Sequence, residues 1–167
     1  MAHARSPAAE PPLRALACRL ARDASELERH LEIRRAVFCA EQGMFGGHDD
    51  RDPRDSDPAT LHAVGVEDGV VGGTVRLYPL DGAGALWQGD RLAVLPAHRG
   101  GSLGASLVRF AVRTAGARGG DRMVAMIQLP NVRFFLGLGW SLAGDVVRFH
   151  GRDHQPMAIA LSADADG

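Results

Sequence analysis

Lysine is absent from this chain of 167 residues, so all 19 basic side chains are arginines. Chemistry that runs through an ammonium side chain, whether a Schiff base or the lysine of a nucleotide-triphosphate loop, is thereby excluded. Tyrosine occurs once, at Tyr78, and cysteine twice, at Cys18 and Cys39, with no paired spacing. A domain of this size needs no disulfide, and the two thiols point to a reducing, cytoplasmic setting. Neither sign of charge is in excess, because 19 basic residues face 20 acidic ones. A duplex-binding protein would show a net basic face, so nucleic acid is not expected as a partner. Long apolar runs are missing as well. The stretch 13–20 is cut by Arg14 and Arg19, well short of the roughly 18 residues of a membrane helix, so neither signal peptide nor membrane anchor is expected.

What remains is the composition of one globular domain, 46% apolar and 23% charged. Residues 1–12 are rich in Ala and Pro, and 162–167 are small and acidic. Flexible tails over 1–14 and 162–167 are therefore expected to bracket a single folded unit, 15–161. A short strand is predicted over 17–21. Ser25 with Glu28 forms a capping-box pattern, and Leu27, Leu31, Ile33, Val37 and Phe38 follow at helical spacing as far as Gly43. The acidic segment 46–58, broken by Gly and Pro, reads as an irregular surface loop with its acids solvated or paired with Arg. It lacks the Gly and Glu that a calcium loop requires.

Runs 61–66 and 70–77 flank Glu67-Asp68-Gly69 as a hairpin, and a third strand over 86–95 is stopped by Pro96. Leu103, Leu107, Phe110 and Ala111 recur at helical spacing, so a helix begins inside the glycine-rich segment 98–104. A strand over 123–128, a short helix capped by Asn131, and strands over 140–149 and 155–161 complete a mixed α/β domain without repeats. His150 and His154 stand four apart, but Gly151 and Pro156 break the helix that a zinc pair would need. No metal is expected.

A helix entered through glycines offers unpaired N–H groups and the positive end of its dipole, which suits an anionic phosphate. The triphosphate loop falls with the missing lysine. The dinucleotide fingerprint asks for G-x-G-x-x-G and an acid ending the next strand, whereas this chain has Gly100, Gly101 and Gly104, and Gln128 at that strand end. The run Leu92-Ala93-Val94-Leu95-Pro96-Ala97-His98-Arg99-Gly100-Gly101-Ser102-Leu103-Gly104 instead resembles the acyl-CoA loop of the GCN5-related N-acetyltransferase superfamily, with Ser102 where that family usually has Gly. Two further stretches are similar to bacterial members, in the same order along the chain. They are Val37-Phe38-Cys39-Ala40-Glu41-Gln42 and the N-x-x-F-F-x-x-x-G-W form from Asn131 to Trp140.

The resemblance implies an acyl-CoA N-acyltransferase (GNAT) fold, a mixed and mostly antiparallel central sheet flanked by helices. It implies acetyl-CoA as co-substrate and the amine of a small molecule as the attacking acceptor. Leu92, Ala93 and Val94 match the positions whose backbone pairs with the pantetheine arm. Arg99, Gly100, Gly101, Ser102, Leu103, Gly104 and Ala105 match the diphosphate loop. Asn131 would bond the arm or the leaving side, and an N–H near Val94 would polarise the thioester carbonyl. Asp90, four residues before Val94, is the implied acceptor of the amine proton, with His62, His150 and His154 as other candidates. Phe135 stands in the cofactor groove where family members carry a tyrosine acid, although a thiol with a pKa near 8.5 leaves as thiolate without one. A homodimer is implied by the same resemblance. Two rivals share the features. The opening helix and acidic loop also resemble relatives of acyl-homoserine-lactone synthases, which take longer acyl donors, and Phe135 suits a domain that binds CoA without transferring from it.

Overall fold

The computed structural model describes residues 14–164, so the expected N-terminal tail, apart from Arg14, and residues 165–167 lie outside it. Strand β1 (Leu16–Leu20) leads into helix α1 (Ala24–Arg34), followed by β2 (Leu61–Glu67), β3 (Val70–Pro79) and β4 (Leu86–Val94). Helix α2 (Leu103–Ala117), β5 (Arg122–Gln128), α3 (Val132–Gly137), β6 (Ser141–Leu142), β7 (Val147–Phe149) and β8 (Arg152–Ala160) complete the chain. The strands form one sheet in the order β1-β2-β3-β4-β5-β8-β6, with β7 also on β8, and every pair is antiparallel except β4–β5. This is the mixed α/β architecture expected. Among the described residues no helix is long and apolar enough to cross a membrane.

Local chemistry explains most elements and several departures. Helix α1 starts at Asp23, whose extended backbone lets its carboxylate accept from the Glu26 amide at 2.9 Å. The expected Ser25–Glu28 box is not used, because Ser25 already lies inside the helix. Past Arg34 the helix widens into a π-helical stretch, Arg35–Glu41, which buries Val37, Phe38 and Cys39. The β2–β3 turn places Asp68 and Gly69 both at positive φ, 50° and 80°, as a tight hairpin requires. Asn131 does not cap α3. It ends a turn through Pro130 and already has near-helical backbone angles, φ −99° and ψ 0°, so its side chain makes no capping bond. The strand expected over 140–149 is split into β6 and β7. Their partner β8 carries Pro156, which has no N–H, and Gln155 there bonds the Gly144 carbonyl at 2.8 Å.

The sheet is covered on both faces. Helix α2 packs Leu103, Leu107 and Ala111 with Val75, Leu77 and Met123, while α1 and its π-helical extension pack Ile33, Val37 and Phe38 with Met44 and Ala93. Close approach of α2 depends on two glycines in neighbouring strands. A Cβ on Gly65 would lie 2.9 Å from Leu103 Cδ1, and one on Gly73 would lie 2.8 Å from Leu107 Cδ1. Replacing Gly73 by Val should therefore overpack this contact and lower stability by about 1–3 kcal/mol, read from the midpoint of urea unfolding.

Candidate active site

Strands β4 and β5 pair only at their beginnings, Leu86 with Arg122, Trp87 with Met123 and Gln88 with Val124. Beyond that point β4 stays with β3 while β5 stays with β8, so the two parallel strands part. A bulge in β4 accompanies the parting. Thr74 pairs with Ala93 and Arg76 with Asp90, leaving Val75 opposite both Arg91 and Leu92. Arg91 takes the left-handed angle that bulges usually give to glycine, φ 53°. A cavity of about 210 Å³ occupies the gap and is lined by residues from both faces of the sheet. Phe38, Met44, Phe45, Phe149 and His154 line it on the α1 side, and Val75, Val108, Ala111, Met123 and Trp140 on the α2 side.

At the end of β4 the chain turns through Pro96–His98 into the glycine-rich loop. The Arg99 amide bonds the Pro96 carbonyl at 3.3 Å and the Ser106 amide bonds the Ser102 carbonyl at 2.9 Å. Among the described residues, the amides of Gly100, Gly101, Ser102, Leu103, Gly104 and Ala105 have no hydrogen-bond partner. Gly100 has φ +84°, and Ser102 is an exposed N-cap whose side chain makes no capping bond. A row of open amides leading into α2 fits an anionic diphosphate. Leu103 offers only its backbone, since its side chain is fully buried in the core. The Arg99 guanidinium is engaged elsewhere, with Nε on the Val94 carbonyl at 2.8 Å and Nη1 on Glu41 at 2.9 Å.

Of the other residues singled out in the sequence, Asp90, Leu92, Asn131 and Phe135 line the one cavity, whereas Ala93 is buried under α1 and Val94 packs toward α2. The Asp90 carboxylate is not free. Arg76 donates to both its oxygens at 2.7 Å, and the Tyr78 hydroxyl donates to Oδ2 at 3.1 Å. Burial and the Asp90 charge push the Tyr78 phenol up to about 12. His154 differs. Its Nδ1–H donates to the Arg152 carbonyl at 2.9 Å, which fixes the tautomer and leaves the Nε2 lone pair on a ring that lines the cavity.

A model of the acetyltransferase (GNAT) family matches residues 24–140, well over half of the sequence. The chain belongs to the GNAT family. Solved structures agree on the fold. ElaA of Escherichia coli superposes with a TM-score of 0.74 at 22% identity, covering 87% of this chain and 99% of its own. An acyl-CoA N-acyltransferase of Pseudomonas aeruginosa gives 0.73 at 23% identity, with coverage of 87% and 99%. The structure of yncA from Salmonella typhimurium with its cofactor acetyl-CoA gives 0.70 at 22% identity, with coverage of 89% and 95%. No curated protein matches the sequence at a significant level.

Next to the parted strands of this GNAT domain lies a charge network that sequence inspection did not assemble. Arg34, fully buried, donates to Asp50 and Asp55, each at 2.7 Å. Arg76, also fully buried, joins Asp90 to Asp52, which it reaches at 2.6 Å. Arg91 closes the set through Asp50 at 2.8 Å, and His62 donates to Asp55 at 3.0 Å. The expected pairing with arginine therefore holds for Asp50, Asp52 and Asp55, and for Asp49, which Arg51 reaches at 2.7 Å, while Asp57 stays exposed and accepts from the Ala59 amide at 2.9 Å. Burial raises the Asp55 pKa, but bonds from His62 and Arg34 outweigh it and hold the carboxyl far below the usual range. The signal available in the sequence was Arg34 on an apolar helix face and Arg76 in a Val-rich strand, two charges that need buried partners.

Left-handed backbone also concentrates here. Phe45, Arg91 and His150 are three of the four non-glycine residues with positive φ among those described. Phe45 stacks on His150 at 4.1 Å, and the Arg91 guanidinium lies 4.6 Å from the Phe45 ring centre. Such strain gathers at functional sites.

Arg34→Ala leaves Asp50 and Asp55 without their main counter-charge, and should cost about 3–5 kcal/mol. Arg99→Ala, which breaks an exposed pair with Glu41, should cost under about 1 kcal/mol on the same urea curves. His30 reports on pH. Burial depresses its pKa to about 3, and its Nδ1–H donates to the Ala63 carbonyl at 2.8 Å. An unfolded histidine titrates near 6.5, so the unfolded chain binds the extra proton between those values. Stability from neutral His30 is complete above about pH 6.5 and declines as pH falls toward 3, by an amount on the order of 5 kcal/mol. His30→Asn should flatten that slope in unfolding measured across this range.

Proposed function

We propose that this GNAT protein transfers an acetyl group from acetyl-CoA to the amine of a small molecule by direct attack. The observation that carries the reading is the pairing of open amides at Gly100–Ala105 with a β4–β5 gap leading into a cavity. The amides of 100–105 hold the diphosphate, and the backbone of Leu92, Ala93 and Val94 faces the arm. Arg99 exchanges its bond to the Val94 carbonyl for the incoming ligand. Bound acetyl-CoA supplies an activated acyl carbon. As the nitrogen–carbon bond forms, the carbon–sulfur bond breaks, the amine proton passes to a base on the protein, and the sulfur leaves as thiolate to be protonated by solvent.

An amine with a pKa near 10.4 is almost wholly protonated at neutral pH, so that base matters. Asp90 is the positional candidate from the sequence, but with both oxygens on Arg76 it serves better to hold β3 against the β4 bulge. We assign proton removal to His154 Nε2, whose lone pair is unengaged. Phe135, buried in the cavity wall, has no proton to give.

Calorimetric titration with CoA tests the donor site, and thiol release over a panel of amines tests transfer. Binding without thiol release would favour the non-catalytic alternative. Ser102→Asp separates structure from function, since an acid at this N-cap stabilises α2 while repelling a diphosphate. Its unfolding midpoint should not fall, and its affinity for CoA should drop at least about tenfold, the equivalent of about 1.4 kcal/mol. His154→Gln should lower kcat by about 10²-fold, whereas Asp90→Asn should chiefly lower stability.

A further inference from the structure

The β7–β8 hairpin and the end of the π-helical stretch form the α1-side mouth of the site. Phe149 pairs with Arg152 across the hairpin, and His154 follows two residues on, so the three side chains stand on one face of the sheet. That face looks toward the cavity, because Phe149 and His154 both line it. Ring contacts hold the hairpin in place. Phe149 meets Phe45 edge to face at 6.1 Å and His150 at 4.3 Å. The Phe149 ring is still 40% exposed, which leaves an apolar surface at the entrance.

Charge at this mouth is unbalanced. The acids that line or flank the cavity are already held by arginine, Asp90 by Arg76, Asp50 by Arg34 and Arg91, and Glu41 by Arg99. Asp153, next to Arg152 in sequence, belongs to the other face of β8 and pairs with Arg148 at 3.2 Å. Asp145, before β7, is exposed and not bonded to Arg152. Arg152 itself has no acidic partner among the described residues. Its Nη2 donates to the Gln42 carbonyl at 3.3 Å, and Gln42 lines the cavity. One long bond to a neutral carbonyl leaves most of the five N–H groups of this half-buried guanidinium unused. A polycationic acceptor would meet no free carboxylate on the cavity wall, and Arg152 would repel it. A carboxylate would complete the pairing.

We infer that the acceptor is an amino acid with an apolar side chain. Its carboxylate pairs with Arg152, its amine faces His154 Nε2, and its side chain lies on the Phe45 and Phe149 rings. Two residues along a strand stand about 7 Å apart, so an arginine and a histidine at that spacing both reach one small molecule. This rests on the acyl-transfer reading above and narrows its acceptor. The bonds made and broken are those already given, and the carboxylate takes no part in them.

The test is thiol release from acetyl-CoA with phenylalanine, its decarboxylated amine and its amide, and with the same three forms of leucine. Calorimetric titration of each into the complex with CoA reads the same site without turnover. In both readouts the amino acid should exceed the two forms that lack the carboxylate by at least about tenfold, as a charge-assisted bond requires. Arg152→Gln should raise KM for the amino acid at least about tenfold and remove the preference, with CoA affinity and the unfolding midpoint unchanged. Arg152→Lys should restore part of it. Equal use of the three forms, or preference for the decarboxylated amine, would overturn the acceptor and leave the transferase standing. CoA binding with neither uptake nor turnover of any amino acid would overturn the acceptor and leave the donor site standing. A chain that binds no CoA would overturn both readings together.

Discussion

The ion pair between Arg91 and the buried carboxylate of Asp50 holds the shape of the site. Arg91 is the residue at which β4 departs from regular register, and it does so in a backbone conformation that an arginine adopts at a cost of about 1 kcal/mol relative to glycine. Its guanidinium reaches Asp50 Oδ2 and the Asp50 carbonyl, at 2.8 and 2.9 Å, and lies over the Phe45 ring. The bulge, the segment carrying Asp50 and the aromatic wall therefore form one unit. Releasing the side chain would remove the reason for the left-handed turn, and β4 would be free to regularise toward β5.

Buried ion pairs contribute little net stability when compared with apolar packing, because each charge must be stripped of water. What the Arg34, Arg76 and Arg91 network contributes here is placement. Three arginines from α1, β3 and β4 converge on one segment between Asp50 and Asp55, so the long connection from α1 to β2 is tied to the sheet at several points. Asp50 Oδ1 nonetheless has no partner, although the residue is buried.

Legibility in the sequence followed the range of the interactions. The β4, loop and α2 unit was readable because Pro96, Gly100 and Gly101 act on their own backbone, as was the β2–β3 hairpin through Asp68 and Gly69. Asp23 against Ser25 shows the limit of such reading. Both residues cap well by type, and only the backbone angles choose between them. The charge network was illegible because its members lie far apart, 16 residues from Arg34 to Asp50, 24 from Asp52 to Arg76 and 41 from Asp50 to Arg91. Pairing with arginine was one of two states expected for the acids of 46–58, but that Arg34, Arg76 and Arg91 are the partners of Asp50, Asp52 and Asp55 emerges only when α1, β3 and β4 are brought together. The same holds for the cavity. Glycine at 89 and alanine at 111 look like weak packing in isolation, and become walls of a space only when β4 and β5 are seen to part.

The cations beside the cleft are all guanidinium groups, which keep their protons across the whole physiological range. A guanidinium is no nucleophile, whereas an uncharged ε-amine would compete for any thioester held nearby. With no such amine on any side chain of the molecule, a thioester bound in the cleft would find no lysine to modify on the protein that holds it, and acylation of a side-chain ε-amine is excluded by composition.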